Sequence, residues 1–171
     1  MSVIDTSQWQ EFPLEKLFKI VKGTRLTKRD MVDGDINYIG ATAFNNGITA
    51  HIGNETALHK AGTLTVTYNG SIGETFYQEE PFWASDDVNI LYPQFKMTRN
   101  IAHFLATIIK VVGKNNYAYE DKWQIEDMKK TAIKLPVTSD GEPDFAFMES
   151  YMDTLRERAV KPKIALLKSL L

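Results

Sequence analysis

The chain contains 171 residues, of which 43% are hydrophobic and 25% charged, and its formal net charge is −2. That length allows one domain with its own core and a short appendage, and it excludes two full domains. The absence of cysteine excludes disulfides and thiolate metal sites and fits a reducing compartment. No signal peptide and no apolar run long enough to cross a bilayer is visible, so we expect a cytoplasmic protein that binds no membrane.

The charged residues are unevenly distributed along the chain. Residues 16–29 carry only basic side chains, whereas residues 30–93 carry acids and a single base, Lys60. Bases again outnumber acids over residues 94–134. Two basic segments around an acidic one allow a surface with a positive side, but the same charges also suit an ordinary solvated surface. The charge distribution therefore permits nucleic-acid binding without demonstrating it.

The region from residue 37 to residue 92 has the composition of a β-rich domain. Short runs of β-branched and aromatic residues predict strands over 37–40, 63–68, 74–78 and 88–92. Turn-forming residues separate these runs, and Asn69-Gly70 between two of them is the strongest hairpin signal in the sequence. We therefore expect a mixed or antiparallel β-rich arrangement.

The pattern becomes helical after residue 100. Apolar residues at helical spacing predict a helix over 101–112, with Asn100 as its N-cap and Gly113 as its end. A polar loop with aromatic residues is expected over 114–124, followed by a short helix over 125–130 and a strand over 132–136. The predicted fold class is α+β, with a few helices, in a domain that comprises residues 1–143.

A second helical pattern begins after Asp144, its candidate N-cap. The apolar residues recur at intervals of three and four, as in a coiled coil, and Pro162 is expected to kink or break the helix. Such a helix can simply pack against its own domain. Because its apolar end would otherwise be exposed, we favour pairing with a second chain and assign residues 144–171 as a dimerisation helix. The interface residues expected are Met148, Met152, Leu155, Ala159, Ile164, Leu167 and Leu171.

Catalytic motifs are weak throughout the sequence. The glycine-rich cofactor loop and the proline-aromatic loop of a methyltransferase are missing. The triplet Glu120-Asp-Lys122 matches part of a metal-dependent nuclease site, but such triplets are frequent by chance. The three histidines are too scattered to suggest a zinc site. We predict a non-catalytic chain with no metal or cofactor of its own. A carbohydrate-binding β-rich module and a small nuclease using Glu120 and Lys122 remain as alternatives.

Polar side chains suited to reading DNA cluster in the predicted loops. Asn, Gln, Arg, Lys, Ser and Thr hydrogen-bond to base edges, while Lys and Arg bind phosphates. The same asparagine-rich segments also suit ordinary turns, and Trp123 suits core packing as well as base stacking. The candidate DNA-binding residues are Lys22, Arg25, Lys28, Thr42, Asn45, Asn46, Asn69, Ser71, Lys114, Asn115, Asn116, Tyr117, Lys122, Trp123 and Gln124.

Several short motifs follow one another along the chain. They are WxxFxLxxLFxIxxG over 9–23, GDINYIG over 34–40 with NNG over 45–47, GTLTV and NGSIG over 62–73, and YxYxxKW over 117–123 with IxLPV over 133–137. Their order resembles that in the target-recognition domains of type I restriction-enzyme specificity subunits. The motif DGxPDxxxM over 140–148 resembles especially the recognition subunits of the related type IIB enzymes. No single motif is specific, but their order holds over nearly the whole chain.

The resemblance implies sequence-specific recognition of double-stranded DNA. The usual subunit of this family carries two such domains separated by two antiparallel helices, and each domain reads half of an interrupted site. One domain and one helix would make this chain a half-subunit, which dimerises through residues 144–171 and reads a palindromic interrupted site. The implied partners are DNA, methyltransferase (modification) subunits and a restriction subunit. S-adenosylmethionine, Mg²⁺ and ATP would bind only to those partner subunits.

Overall fold

The computed structural model describes residues 4–117 and 122–169, with side chains as far as Val160. In chain order, the elements are β1 (Gln10–Pro13), α1 (Leu14–Leu17), β2 (Phe18–Lys22), β3 (Ile36–Ile39), β4 (Ile48–Ile52), β5 (Thr63–Thr67), β6 (Thr75–Gln78), β7 (Phe82–Ala84), β8 (Val88–Pro93), α2 (Arg99–Asn116), α3 (Ile125–Lys130), β9 (Ala132–Leu135) and α4 (Phe145–Ser169). Short 3₁₀ turns occur at Lys28–Asp30 and Asn45–Gly47. Among these described residues, no helix is both long and apolar enough to cross a membrane.

The strands form three small sheets. One has four antiparallel strands in the order β2-β8-β5-β6, a second has the order β4-β3-β7, and β1 pairs with β9. Within the second sheet β3 is antiparallel to β4 and parallel to β7. The predicted α+β class with mixed and antiparallel sheets is therefore confirmed. The predicted strands correspond to β3, β5, β6, β8 and β9, whereas β1, β2, β4 and β7 were not predicted.

Both faces of the four-stranded sheet are covered. On one face, Leu64, Val66 and Leu91 pack against α2 in the main hydrophobic core. On the other face, Val88 and Ile90 pack with residues of β3 and β7. Every residue of β5 is buried as a result, which explains why this strand is a nearly continuous apolar and threonine run.

Helix α2 begins earlier and ends later than predicted. The Thr98 hydroxyl accepts a hydrogen bond from the Ile101 N–H at 3.2 Å and caps the helix. Asn100, the predicted cap, is instead buried, and its amide donates to Glu149 and Asp153 of α4. Gly113 lies inside the helix, where a Cβ would come within 2.5 Å of the Trp123 ring. This glycine therefore allows a close approach and does not end the helix.

Helix α4 starts at the predicted place. An Asp144 side-chain oxygen accepts a hydrogen bond from the Phe147 N–H at 2.8 Å, which confirms the predicted N-cap. Its first turns pack on the domain, where Phe145 stacks on Phe95 with ring centroids 4.3 Å apart. Of the two predicted effects of Pro162, a break is wrong, since the helical backbone continues to Ser169, and a kink stays a prediction. Proline removes one backbone donor, and the remaining hydrogen bonds of the helix are still available.

Candidate nucleic-acid interface

The C-terminal ends of four strands meet at one end of the domain. β2 and β5 are both antiparallel to β8, with Lys22 opposite Asn89 and Thr67 opposite Val88. β7 turns directly into β8, and β3 runs parallel to β7. The segments 23–27, 40–47, 68–74 and 85–87 therefore all leave the sheets at this end, which we call the loop end.

Hydrogen bonds tie the segments of the loop end to one another. The Thr24 N–H donates to the Ala84 carbonyl at 2.8 Å, and the Trp83 indole N–H donates to the Thr24 carbonyl at the same distance. The Asn69 amide donates to the Asp87 carboxylate at 2.7 Å. These contacts give the loop end a defined shape that does not depend on a ligand.

Two further segments reach the loop end from the helical side. The Trp123 N–H donates to the Tyr68 carbonyl at 3.2 Å, which places residues 122–124 beside the turn after β5. The end of α2 touches the same turn, because a Cβ on Gly73 would lie 2.9 Å from the Lys114 backbone nitrogen. The loops that the sequence predicted separately thus largely converge in space.

A cavity of about 110 Å³ opens where these segments meet. It is lined by Lys22, Tyr68, Asn89, Gln124 and Ile125. The Lys22 ammonium lies 5.2 Å from the centroid of the Tyr68 ring. A hydrogen bond with Tyr68 raises the pKa of Lys22 above its ordinary value. A fixed cation beside an exposed amide suits contact with a phosphate and an adjacent base edge.

Most of the predicted DNA-binding residues are accessible. Arg25 has a side chain that is 77% exposed and pairs loosely with Asp86 at 3.8 Å. Thr42, Asn69, Ser71 and Tyr117 are half-buried. The other exposed candidates are Lys22, Lys28, Asn45, Asn46, Lys114, Asn115, Asn116, Lys122 and Gln124.

Trp123 does not fit its predicted role as a DNA contact. Its side chain is 0% exposed, its indole N–H donates to the Thr131 hydroxyl at 3.0 Å, and its ring stacks on Tyr117. A residue at the centre of the core has no surface to offer a base. We therefore remove Trp123 from the candidate set, and Tyr117 acts at least in part as its packing partner.

Several other candidates use their polar groups to hold the loops in shape. The Asn46 amide donates to the Tyr77 carbonyl at 3.0 Å, and Lys114 pairs with the buried carboxylate of Glu74 at 2.5 Å. The Asn45 amide donates to the Ile48 carbonyl at 3.3 Å. These side chains organise the surface, whereas Lys22, Lys28, Lys122 and Gln124 are better placed to contact a partner.

The predicted dimerisation stripe divides into two parts. Met148 is 0% exposed, and Met152 packs partly buried against the same core, so this part of the stripe belongs to the domain. Met148 is accordingly withdrawn as a dimer contact, because its surface is already covered. Leu155 is half-buried and Ala159 is exposed. The side chains of Ile164, Leu167 and Leu171 lie outside the described residues.

Three residues of the loop end were not predicted from the sequence to contact DNA, although Asp86 or Asp87 is a possible first acid of the alternative nuclease site. Asp86 and Asp87 lie in the turn between β7 and β8, and carboxylates there are suited to accept a hydrogen bond from a cytosine amino group. Phe44 has a side chain that is 78% exposed, the most exposed of the large hydrophobic residues described. The acidic pair directly before a buried strand was the available signal for the first two residues.

The alternative nuclease site falls largely outside the structure. Tyr119, Glu120 and Asp121 lie outside the described residues. The nuclease site proposed on Glu120 and Lys122 therefore stays untested. Over residues 4–117 and 122–169, no group of three or more His, Asp or Glu side chains is arranged to hold a metal ion.

Comparison with known proteins identifies relatives of one kind. The family model described as type I restriction modification DNA specificity domain matches residues 6–164. The chain is 39% identical over 153 residues to the specificity subunit S.BcgI of a type II restriction enzyme from Heyndrickxia coagulans. That match covers 89% of this chain and 45% of the relative, so the chain spans less than half of the relative's length.

Solved structures share the fold at low sequence identity. The S subunit of a type I restriction-modification system from M. genitalium aligns with a TM-score of 0.64 at 17% identity, over 94% of this chain and 43% of that one. The HsdS subunit from Thermoanaerobacter tengcongensis aligns with a TM-score of 0.63 at 12% identity, over 96% of this chain and 41% of that one. The fold of this chain therefore corresponds to less than half of each of these subunits.

Proposed function

Since the chain belongs to the family of type I restriction-modification DNA specificity domains, we propose that it reads a short double-stranded DNA sequence as the recognition part of a specificity subunit. The observation that carries this proposal is the convergence of the ends of β2, β3, β5 and β7 on one surface. Binding residues are commonly found on loops that a rigid scaffold holds in position, which allows several side chains to contact the bases at once.

The chemistry of the loop end suits both parts of DNA recognition. Lys22 and Lys122 supply exposed cations that neutralise phosphates and set the register on the duplex. Gln124 is exposed beside Lys22, and a glutamine amide pairs with the adenine edge in the major groove. Asp86 and Asp87 add acceptors, which a purely phosphate-binding surface would avoid. A mixture of both charges at one site favours base reading over nonspecific binding.

The chain itself would be non-catalytic within a larger enzyme. Methyltransferase subunits, and a restriction subunit in the complete system, would supply the chemistry and would bind S-adenosylmethionine, Mg²⁺ and ATP. The near-neutral net charge of −2 is consistent with partner subunits that provide part of the phosphate contact. The comparisons lend no support to a carbohydrate-binding module or a nuclease.

Two copies of the chain would form a recognition unit with two-fold symmetry. A pair joined through the part of α4 beyond Leu155 would present two loop ends related by two-fold symmetry. The expected target is then an interrupted palindrome, with one half-site for each copy.

Selection of the purified chain on randomised duplex DNA at near-physiological salt tests the proposal. The experiment is run with and without a modification subunit and repeated with a Lys22→Ala, Gln124→Ala double variant. Enrichment of an interrupted palindrome supports recognition by a dimer, and enrichment of a single half-site supports recognition by one domain. No enrichment under either condition would overturn the proposed function.

A further inference from the structure

The loop between β3 and β4 carries a large apolar side chain in an unusual setting. Phe44 is 78% exposed at the tip of this loop, and the neighbouring Asn45 is also exposed. Isolated exposed apolar residues are common on protein surfaces. A phenylalanine exposed to this extent nevertheless retains most of its apolar surface, of order 150–250 Å², for burial against a partner.

The chain reverses direction directly after Phe44. Asn45 and Asn46 have φ values of 49° and 53°, and Gly47 has a φ of 82°. Positive φ at both central residues is the geometry of the tight turns that commonly join antiparallel strands, and Asn and Gly adopt it readily. The four residues from Phe44 to Gly47 therefore form a defined turn.

Hydrogen bonds fix this loop at its base and at its side. The Gly40 N–H donates to the Gly47 carbonyl at 2.9 Å and closes the loop, and the Gly47 N–H donates to the Phe44 carbonyl at 2.9 Å. The Asn46 amide donates to the Gln78 side-chain oxygen at 3.3 Å, and the Gln78 amide donates to the Asn46 carbonyl at 3.1 Å. Phe44 is therefore presented by a rigid support.

The loop between β3 and β4 starts at the loop end. Ala41 touches the turn after β5, since a Cβ on Gly70 would lie 3.3 Å from the Ala41 Cβ. Phe44 follows three residues later, so its Cα lies no more than about 11 Å from the Ala41 Cα, the reach of an extended chain. The loop that carries Phe44 thus begins beside the turn over 69–71.

We propose that Phe44 inserts between two stacked bases of the recognised DNA and kinks the duplex at that step. The inference rests on the proposed function, because it requires that DNA binds at the loop end. Opening a base step costs unstacking energy, and an apolar side chain whose support is already ordered can offset this cost with little further loss of loop entropy. The hydrogen-bonded turn after Phe44 provides such a support, and the ring gains burial from the insertion.

The test uses the selected DNA site with 2-aminopurine placed at successive positions. The fluorescence of this base rises where stacking is broken, and we expect a rise at one step when the wild-type chain binds. Phe44→Ala should abolish the rise and weaken binding about tenfold, the effect of losing one aromatic–base stack. Val32→Ala, at another exposed apolar residue, is the matched control and should change neither quantity.

Different results separate this proposal from the one on which it rests. If the wild-type chain selects a site and Phe44→Ala leaves both fluorescence and affinity unchanged, the insertion is wrong and the proposed function stands. A third result also overturns the insertion. Phe44→Ala would weaken binding only to sites that carry a particular thymine, and replacing that thymine with deoxyuridine would weaken binding of the wild type equally. Phe44 would then contact the thymine methyl group. If the wild-type chain selects no site, the proposed function fails first.

Discussion

The ammonium group of Lys110 lies 2.7 Å from a carboxylate oxygen of Glu74, whose side chain is only 3% exposed. Lys114 binds the other oxygen of the same carboxylate at 2.5 Å. Beside this ion pair, Gly73 and Gly113 are in close backbone contact. The turn after β5 is therefore fastened to the last two turns of α2, and the shape of the loop end depends on this attachment.

Replacing Glu74 with Gln should destabilise the domain by about 1–2 kcal/mol, measured as the free energy of unfolding in urea at pH 7. The loss is limited because both lysines are 40–46% exposed and can be hydrated. Glu79→Gln removes an exposed pairing with Arg99 and should cost less than about 0.5 kcal/mol. Equal losses in the two variants would contradict a special role for Glu74.

The same ion pair predicts a dependence of stability on acid pH. Burial alone would raise the pKa of Glu74, but the hydrogen bonds and charges of Lys110 and Lys114 outweigh it and lower the pKa below the ordinary value of 4.5. The stabilisation is thus present above pH 4.5 and is lost as pH falls through the folded-state pKa. The difference in thermal midpoint between wild type and Glu74→Gln should shrink over this range, and a constant difference would refute the assignment.

Gly113→Ala should destabilise the protein although alanine is the better helix former. A Cβ at this position would lie 2.5 Å from the Trp123 ring and 2.9 Å from the Gly73 Cα. Overpacking costs about 1–3 kcal/mol, which exceeds the gain of about 1 kcal/mol in helix propensity. Thr107→Ala on the exposed face of α2 is the control, and we expect no loss there in urea unfolding. A Gly113→Ala variant more stable than the wild type would show that the two glycines are not in close contact.

Lys22→Ala should weaken DNA binding equally across sequences and reduce the slope of log affinity against log salt by about one. The reason is that its exposed ammonium, which lines the loop-end cavity, is expected to neutralise one phosphate. Lys96→Ala removes an exposed lysine that follows the C-terminal end of β8, opposite the loop end, and should leave affinity unchanged. Fluorescence anisotropy over a range of salt concentrations measures the slope for the wild type and for each variant. Identical slopes for the wild type, Lys22→Ala and the control variant would exclude Lys22 from the interface.

Gln124→Ala should instead relax the preference at one position of the site and cost about 1–3 kcal/mol against the preferred base there. Binding to duplexes with each base at every position reads out this difference. A uniform loss over all sequences would assign Gln124 to the phosphate backbone.

Removing residues 155–171 should leave a folded monomer, because Met148 and Met152, which pack on the domain, remain in place. Met148→Ala should have the opposite effect: a loss of about 2–5 kcal/mol in stability with dimerisation intact in the folded fraction. Sedimentation at several protein concentrations separates the two cases. A truncated chain that still dimerises would contradict the role of the distal part of α4.

Stability should also decline between neutral and mildly acid pH through His59. Burial lowers the pKa of this histidine below 6.5, and its ring forms a 2.8 Å hydrogen bond with the Tyr92 hydroxyl. His59 therefore takes up a proton at higher pH in the unfolded chain than in the folded one, so the free energy of unfolding falls as pH drops below about 6.5. His103, whose pKa is lowered by burial and by nearby arginines, acts in the same direction. A double His59→Gln, His103→Gln variant should show a flatter pH profile, and an unchanged profile would exclude both residues.

Local chemistry determined several elements of this protein from the sequence alone. The short helix Ile125–Lys130 and the N-cap at Asp144 follow from patterns within a few residues, and the structure has them at the predicted positions. The strands β5 and β8 follow from dense β-branched runs. The ordered motifs likewise indicated the family, because their order along the chain is still recognisable when single motifs differ in some residues.

Tertiary structure decided which residues face a partner and which face the core. Trp123 and Met148 have the sequence features of a recognition loop and a dimer helix, but both are fully buried. Gly113 resembles a helix stop, yet its missing side chain makes room for the Trp123 ring. Sequence patterns record the spacing of residues along one segment, whereas burial depends on which other segment packs there. The convergence of four strand ends at the loop end is likewise a property of sheet topology, which no single segment contains.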